Sequence, residues 1–132
     1  MNTKVALAAA AALMALGASA ATPASARSPV EPKPNQCFWT RNVDSFAAEN
    51  DHIVNIRVGV GDVYQFEIMG SCPDIDWNQR IALVSRAGSS ICSGMDAEIV
   101  TRSQIGPQRC PVRSVRKLTP QEVAALPAKA RP

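Results

Sequence analysis

Histidine is almost absent from this 132-residue chain, in which His52 is the only one. Ser-His-Asp triads, Cys-His nucleophiles and multi-histidine metal sites all depend on histidine. A chain with only one histidine therefore lacks the residues for most of these sites. His52 follows Asp51 directly before a predicted strand, where a turn residue is the simpler interpretation. We therefore predict no catalytic histidine, no cofactor and no metal centre.

Closely spaced cysteine pairs are also lacking, since the nearest two of the four, Cys92 and Cys110, lie 18 positions apart. Zinc sites and redox-active C-x-x-C motifs both need shorter spacings. An even number of cysteines in a small chain instead indicates disulfides, and the sequence leaves three pairings open. We expect Cys72–Cys92, which would clip a loop to a later strand, and Cys37–Cys110, which would join the first strand to the last.

Long apolar runs are absent, and the longest, Val5–Leu16, is shorter than the roughly 20 residues of a membrane span. Lys4 precedes this run and the small-x-small site Ala18–Ala20 follows it. This pattern is typical of a secretory signal peptide over residues 1–20, with cleavage before Ala21.

A second small-x-small site, Ala24–Ala26, would move the cleavage to a point before Arg27. The first cysteine, Cys37, is too distant from either site to accept a lipid anchor. We expect an exported protein with neither span nor anchor, located in the periplasm of a Gram-negative bacterium.

The remaining chain divides into three parts by composition. Residues 21–36 contain four prolines among Ser, Ala and charged residues, which predicts a flexible leader. Residues 37–126 carry the cysteines and the apolar patterning, and they predict one disulfide-bonded domain. Residues 127–132 follow Pro127 and predict a loose tail.

Period-two alternation marks a β-hairpin in the centre of this domain. Val54, Ile56 and Val58 share one face of a strand over Ile53–Val58, and a second alternating strand covers Val63–Met69. The glycine-containing segment between them predicts the connecting turn.

Weaker strand patterns occur elsewhere: Cys37–Val43, Ile81–Arg86, Ala97–Arg102 and Cys110–Leu118. Asp44–Asp51 is ambiguous, since Asp44 or Ser45 could cap one helical turn. Thr119-Pro120-Gln121-Glu122 predicts a capped helix to Leu126. Together these elements predict a mainly β fold, a small antiparallel barrel or sandwich of five to six short strands with a short C-terminal helix.

The acidic residues near two cysteines are the candidate ligand or ion loop. Asp74 and Asp76 follow Cys72, Asp96 and Glu98 follow Cys92, and a Cys72–Cys92 bond would bring the two pairs together. Oxygen-rich loops can hold calcium, and paired carboxylates can perform acid-base chemistry. Asp after Pro is more often a turn former, which is the simpler interpretation.

Aromatic residues are few, so most are needed in the core. Trp77 is the exception, because it lies in a polar loop where it could contact a ligand. Arg109, Arg113, Arg116 and Lys117 form a basic segment without interleaved aromatics, which argues against nucleic-acid binding. We interpret this segment as a solvated edge strand.

The cysteine order and its surroundings are similar to a known family. The segments CFWTRNV, IMGSCPDIDW, SSICSGMDAEIV and QRCPVRSVRKLTPQE resemble small exported four-cysteine proteins of proteobacteria that are classed only as a domain of unknown function. The resemblance covers Cys37 to about Ala125. It implies an envelope location and structural cysteines, and it implies no activity.

Three functional hypotheses follow from these observations. The first is a non-enzymatic, monomeric binding or accessory module whose partner is an envelope protein or a glycan. The second is a small envelope hydrolase that uses the acidic residues near Cys72 and Cys92. The third is a purely structural envelope protein without a small ligand.

Overall fold

The computed structural model describes residues 37–132, so the predicted signal peptide and leader lie outside the described residues. Within this range the fold is mainly β, as the alternation predicted. The strands are β1 (Phe38–Trp39), β2 (Val43–Asn50), β3 (Ile53–Val58), β4 (Asp62–Ile68), β5 (Ala82–Ser85), β6 (Ser90–Ile91), β7 (Ala97–Ser103) and β8 (Gly106–Lys117). One α-helix, α1 (Pro120–Ala125), and three 3-10 turns (Thr40–Asn42, Gly94–Asp96 and Ala128–Ala130) complete it.

Six strands form one curled antiparallel sheet in the order β2-β3-β4-β8-β7-β5, and β1 pairs with β6 in a second, two-stranded sheet. The predicted hairpin is confirmed as β3 and β4. β8 lies between β4 and β7, so the interpretation of the last strand as an edge strand is wrong. The sheet instead ends at β2 and β5, which leaves an opening between these strands at one side of a half-barrel.

The concave face of the sheet holds the main core. Val54, Ile56, Phe66 and Ile99 are buried there, and Phe38 of the small sheet stacks on Tyr64 with ring centroids 4.5 Å apart. The segment Asp44–Asp51, for which one helical turn was an alternative, forms most of strand β2. It is extended because Phe46 and Ala48 pair with β3, and this cross-strand pairing outweighs the local capping pattern.

The convex face is covered by the end of the chain. Leu118 and Leu126 pack on Val63, and the capping box predicted at Thr119 is present in full. The predicted loose tail is wrong, because Ala130 is completely buried and its carbonyl accepts a hydrogen bond from the buried Asn55 side chain at 2.9 Å. The tail packs because Asn55, on the outward side of β3, needs a polar partner once the sheet is covered.

The predicted disulfide pairing is also wrong, because the structure joins Cys37 to Cys92 and Cys72 to Cys110. Cys37 and Cys92 flank the small sheet, in which Phe38 lies opposite Ile91, so the β1–β6 register places them side by side. The Met69 N–H donates to the Pro111 carbonyl just beyond the β4–β8 pairing, which brings Cys72 to Cys110. Both outcomes depend on long-range register.

Candidate functional site

The candidate site is built around residues 70–81, which we call the mouth loop. This loop leaves β4 and crosses the open side of the half-barrel to reach β5. Cys72 and Ile75 anchor it, since both are fully buried and Cys72 is bonded to β8 through Cys110. The loop is therefore a fixed part of the domain despite its lack of regular structure.

A tight turn shapes the exposed part of the mouth loop. The Asp74 carbonyl accepts hydrogen bonds from the Trp77 N–H, the Asn78 N–H and the Asn78 side-chain amide. Asp74 has a φ of +63°, a left-handed conformation that Asp tolerates better than most residues. The Asn78 amide also donates to the Arg102 carbonyl at 3.0 Å, which ties the turn to the end of β7. Asp74 is thus the turn former that the simpler interpretation predicted.

Trp77 stands on this turn with 83% of its surface exposed. The Trp77 N–H and the Asn78 amide are hydrogen-bonded to the Asp74 carbonyl, and these contacts fix the backbone that carries the indole. An exposed aromatic group on a fixed backbone can bury a large area against a ligand at little entropic cost. Of the residues predicted to face a ligand, Trp77 has the exposure that such a role requires.

Two grooves flank Trp77. The tryptophan groove has a volume of about 510 Å³, and its wall includes Trp77, Phe46 of β2 and Lys129 of the chain end. The arginine groove has a volume of about 700 Å³ and is bounded by Arg80, Thr101 and Arg102. Asn78 and Gln79 line both grooves, so the two form one continuous surface along the mouth loop.

A third depression lies on the far side of the same loop, between Pro73 and the turn that joins β7 to β8. Its volume is about 490 Å³, and Ile105 at its edge is 99% exposed. One end of the half-barrel therefore combines an exposed indole, an exposed aliphatic side chain and three adjoining depressions.

The opposite end of the half-barrel, at the β3–β4 turn, offers less. It has a depression of about 470 Å³ lined by Trp39, and the Arg41 guanidinium packs over the Trp39 ring at 5.1 Å from its centroid, which leaves Trp39 48% exposed. Lys117 there is hydrogen-bonded to Asp62 at 2.7 Å, and this contact raises the pKa of Lys117. The polar and aromatic groups of this end are thus already engaged with each other.

The predicted ion loop does not assemble. The Asp74 turn is tied to Arg102, near one end of β7, whereas Glu98 and Asp96 lie at the other end. At about 3.3 Å per residue, they are about 13 Å and about 20 Å from Arg102 along the strand direction. Asp96 accepts a hydrogen bond from the Ser93 hydroxyl, and Glu98 forms ion pairs with Arg86 and Arg109. Within residues 37–132 no three His, Cys, Asp or Glu side chains are grouped as a metal site would need.

The basic segment of β8 is neutralised by the domain itself. Arg109, Arg113, Arg116 and Lys117 contact Glu98, Glu67, Glu122 and Asp62 respectively. Six other described cations have no salt bridge to a carboxylate. Arg41 lies over the Trp39 ring, and Arg57 and Arg131 donate to backbone carbonyls. Arg80, Arg102 and Lys129 have none of these contacts. These last three cations line the two grooves of the mouth loop. Sequence reasoning missed them because a sequence does not show which cations form ion pairs in the fold.

A family model matches the chain over residues 1–132 and describes a family of unknown function, DUF6491. The chain belongs to this family. The match confirms the part of the predicted resemblance that concerns a domain of unknown function with four cysteines. No curated protein and no solved structure matches the DUF6491 chain.

In the described part of this DUF6491 protein, no helix is both long and apolar enough to cross a membrane. The mouth loop combines an exposed indole with two open grooves, a geometry suited to binding. The groups that line it include an indole, guanidinium and ammonium cations, amides and the carboxylate of Asp76.

Proposed function

We propose that this protein is a non-enzymatic binding module whose ligand surface is the mouth-loop end of the half-barrel. The observation that carries the proposal is Trp77, which is 83% exposed on a loop fixed by a disulfide and a buried isoleucine. Exposed aromatic groups on rigid supports are characteristic of binding surfaces, because they bury a large area at little entropic cost.

The hydrolase alternative receives less support. It needs two free carboxylates near one another, whereas Glu98 is occupied by two arginines and Asp96 by Ser93. Asp76 lies in the tryptophan groove without a second carboxylate among the residues that line it. A purely structural role gives no reason for the uncovered indole.

The proposal includes export to the periplasm of a Gram-negative bacterium. It is supported by the signal-peptide pattern of residues 1–20 and by the two disulfides, which form and persist in oxidising compartments. We expect the protein to be released with the periplasmic fraction, with a mature N-terminus at Ala21 or Arg27. N-terminal sequencing of the released protein checks this, and recovery of an uncleaved chain in the cytosol would contradict it.

Binding is tested by thermal shift of the oxidised protein with neutral and acidic oligosaccharides, acidic and basic peptides, and inorganic phosphate. We expect at least one probe to raise the melting temperature. A probe at 100 times its dissociation constant contributes about 2.7 kcal/mol. The shift should be lost in Trp77→Ala and retained in Trp39→Ala, which changes the only other tryptophan. A panel without any shift, or a shift that survives Trp77→Ala, would contradict the proposal.

A further inference from the structure

The arginine groove has an unusual balance of charge for this protein. Among the described residues, five ion pairs engage the cations Arg86, Arg109, Arg113, Arg116 and Lys117. Arg41 stacks on Trp39, and the guanidinium groups of Arg57 and Arg131 donate to backbone carbonyls. Only Arg80 and Arg102 in this groove, and Lys129 in the next, have none of these contacts.

No acidic residue lines the arginine groove, so its two guanidinium groups face an opening without compensation. The planar guanidinium presents paired N–H donors that match the two oxygens of a carboxylate or phosphate. Two such groups on one groove favour an anion there over a neutral or cationic ligand.

Thr101 forms part of the wall of the arginine groove, but its hydroxyl does not open into it. It lies on β7, only 3% exposed, and lines the arginine groove. Its hydroxyl has no hydrogen-bond partner in the described structure, although most buried hydroxyls have one. This oxygen is closed to solvent and lies on the core-facing side of β7 with Ala97 and Ile99, opposite to Arg102, so a ligand in the groove does not reach it.

We propose, building on the binding function above, that this surface binds an acidic saccharide. Its carboxylate or phosphate lies between Arg80 and Arg102, the two unpaired guanidinium groups of the arginine groove. The saccharide continues past Asn78 and Gln79, whose amides suit sugar hydroxyls, to the exposed face of Trp77. Sugar rings carry an apolar C–H face that packs on an indole, and the two grooves fall in the size range of small-ligand sites.

The test uses the oxidised protein in a Trp39→Phe background, so that Trp77 is the only tryptophan that fluoresces. The probes are a galacturonate oligosaccharide, a phosphorylated sugar, a neutral galactose oligosaccharide of the same length, and a glutamate peptide. We expect an acidic sugar to change Trp77 fluorescence at concentrations where the neutral sugar does not. Comparison of the galacturonate and phosphate arms shows which acidic group the groove takes.

Matched charge variants locate the site. Arg80→Gln/Arg102→Gln should weaken acidic-sugar binding at least about tenfold, since each charge-assisted hydrogen bond contributes about 1.5–3 kcal/mol. Arg109→Gln/Arg113→Gln removes the same charge from exposed ion pairs elsewhere and should change affinity less than about threefold. The melting temperature of each variant confirms that it folds.

Each result is decisive. The acidic-saccharide inference is wrong if the neutral sugar binds as well as the acidic one, or if Arg80→Gln/Arg102→Gln binds the acidic sugar normally. In either case, a thermal shift that is lost in Trp77→Ala still supports the binding module. Binding of the glutamate peptide without any acidic sugar would overturn the inference in favour of a peptide ligand. Acidic-sugar binding that needs both arginines and Trp77 would support it.

Discussion

At the scale of single residues, Thr101 has a buried hydroxyl without a hydrogen-bond partner in the described structure. Ala97 and Ile99 lie on the same face of β7 and are buried in the apolar core. A threonine at this position therefore lowers stability relative to an apolar residue of the same shape.

Thr101→Val should therefore stabilise the unliganded protein by about 1 kcal/mol, because valine keeps the shape and removes the unpaired hydroxyl. For a domain of this size the melting temperature should rise by about 4–8 °C. Thr40→Val is the matched control, since the Thr40 hydroxyl donates to the Ser89 carbonyl at 3.2 Å, and its loss should not stabilise. If both variants lower the melting temperature, the Thr101 hydroxyl has a hydrogen-bond partner in the folded protein and the prediction is wrong.

Gly94 shows how closely the backbone is packed at another single position. A Cβ atom added there would overlap the backbone of Arg113 and Ser114 on β8, and that backbone cannot rotate away. We expect Gly94→Ala to destabilise the protein by about 3 kcal/mol, at the upper end for overpacking. Gly61→Ala, at an open turn position, should change stability by less than about 0.5 kcal/mol in chemical denaturation. Equal effects of the two substitutions would show that Gly94 is not constrained.

At the scale of elements, the hairpin and the helix could be predicted, whereas the strand pairings could not. Ile53–Val58 alternates cleanly and Thr119 begins a capping box, and both signals lie within a few residues. β2 and both disulfides depend on partners far along the chain. Cys72 meets Cys110 only because β4 and β8 are neighbours, which no local pattern indicates.

The candidate site divides in the same way. Trp77 could be identified because an indole in a polar loop is unusual in sequence. Arg80 and Arg102 could not be identified from the sequence. They stand out only in the folded domain, where other cations pair with the carboxylates and leave these two arginines unpaired. The sequence drew attention to Arg109 and Arg113, which the fold neutralises.

The C-terminal helix should be sensitive to acid through Glu122. Its carboxylate accepts hydrogen bonds from the Thr119 N–H and from Arg116, and these contacts hold the pKa of Glu122 below its usual 4.5. Because the folded-state pKa is lowered, the stability it contributes is present above pH 4.5 and is lost as the pH falls through the folded value.

Glu122→Gln should therefore lower the melting temperature at neutral pH, and the difference from the wild type should shrink below about pH 4.5. Melting curves measured across this range check the prediction. Glu49→Gln, which removes a carboxylate without an ion pair among the described residues, should show a smaller difference at neutral pH. A wild-type and Glu122→Gln difference that is constant with pH would contradict the role of the carboxylate.

At the scale of the whole molecule, the two disulfides have separate tasks. Cys37–Cys92 holds the small sheet over the core, and Cys72–Cys110 holds the mouth loop across the open side. The loops they close span 55 and 38 residues, so chain entropy gives each bond about 4 kcal/mol. That is a large share of the 5–15 kcal/mol typical of a folded domain.

Replacing either cysteine pair by alanine should cost about 4 kcal/mol in chemical denaturation, and replacing both should unfold the protein. The two variants should differ in binding. Cys37→Ala/Cys92→Ala should retain the ligand response of Trp77, whereas Cys72→Ala/Cys110→Ala should lose it, because only the second bond anchors the mouth loop. Loss of the response in both folded variants would show that the loop depends on the whole fold.

The order of the cysteines has a consequence for how the protein is made. The bonds interleave along the chain, since Cys72 lies between Cys37 and Cys92, and Cys92 lies between Cys72 and Cys110. A chain that emerges N-terminus first offers Cys37 only one early partner, Cys72, and that bond is absent from the final structure. The native pairs therefore require either delayed oxidation or thiol–disulfide exchange through a mixed intermediate. Production of the native protein therefore depends on a host compartment that either delays oxidation until the chain has folded or reshuffles the disulfides that form early.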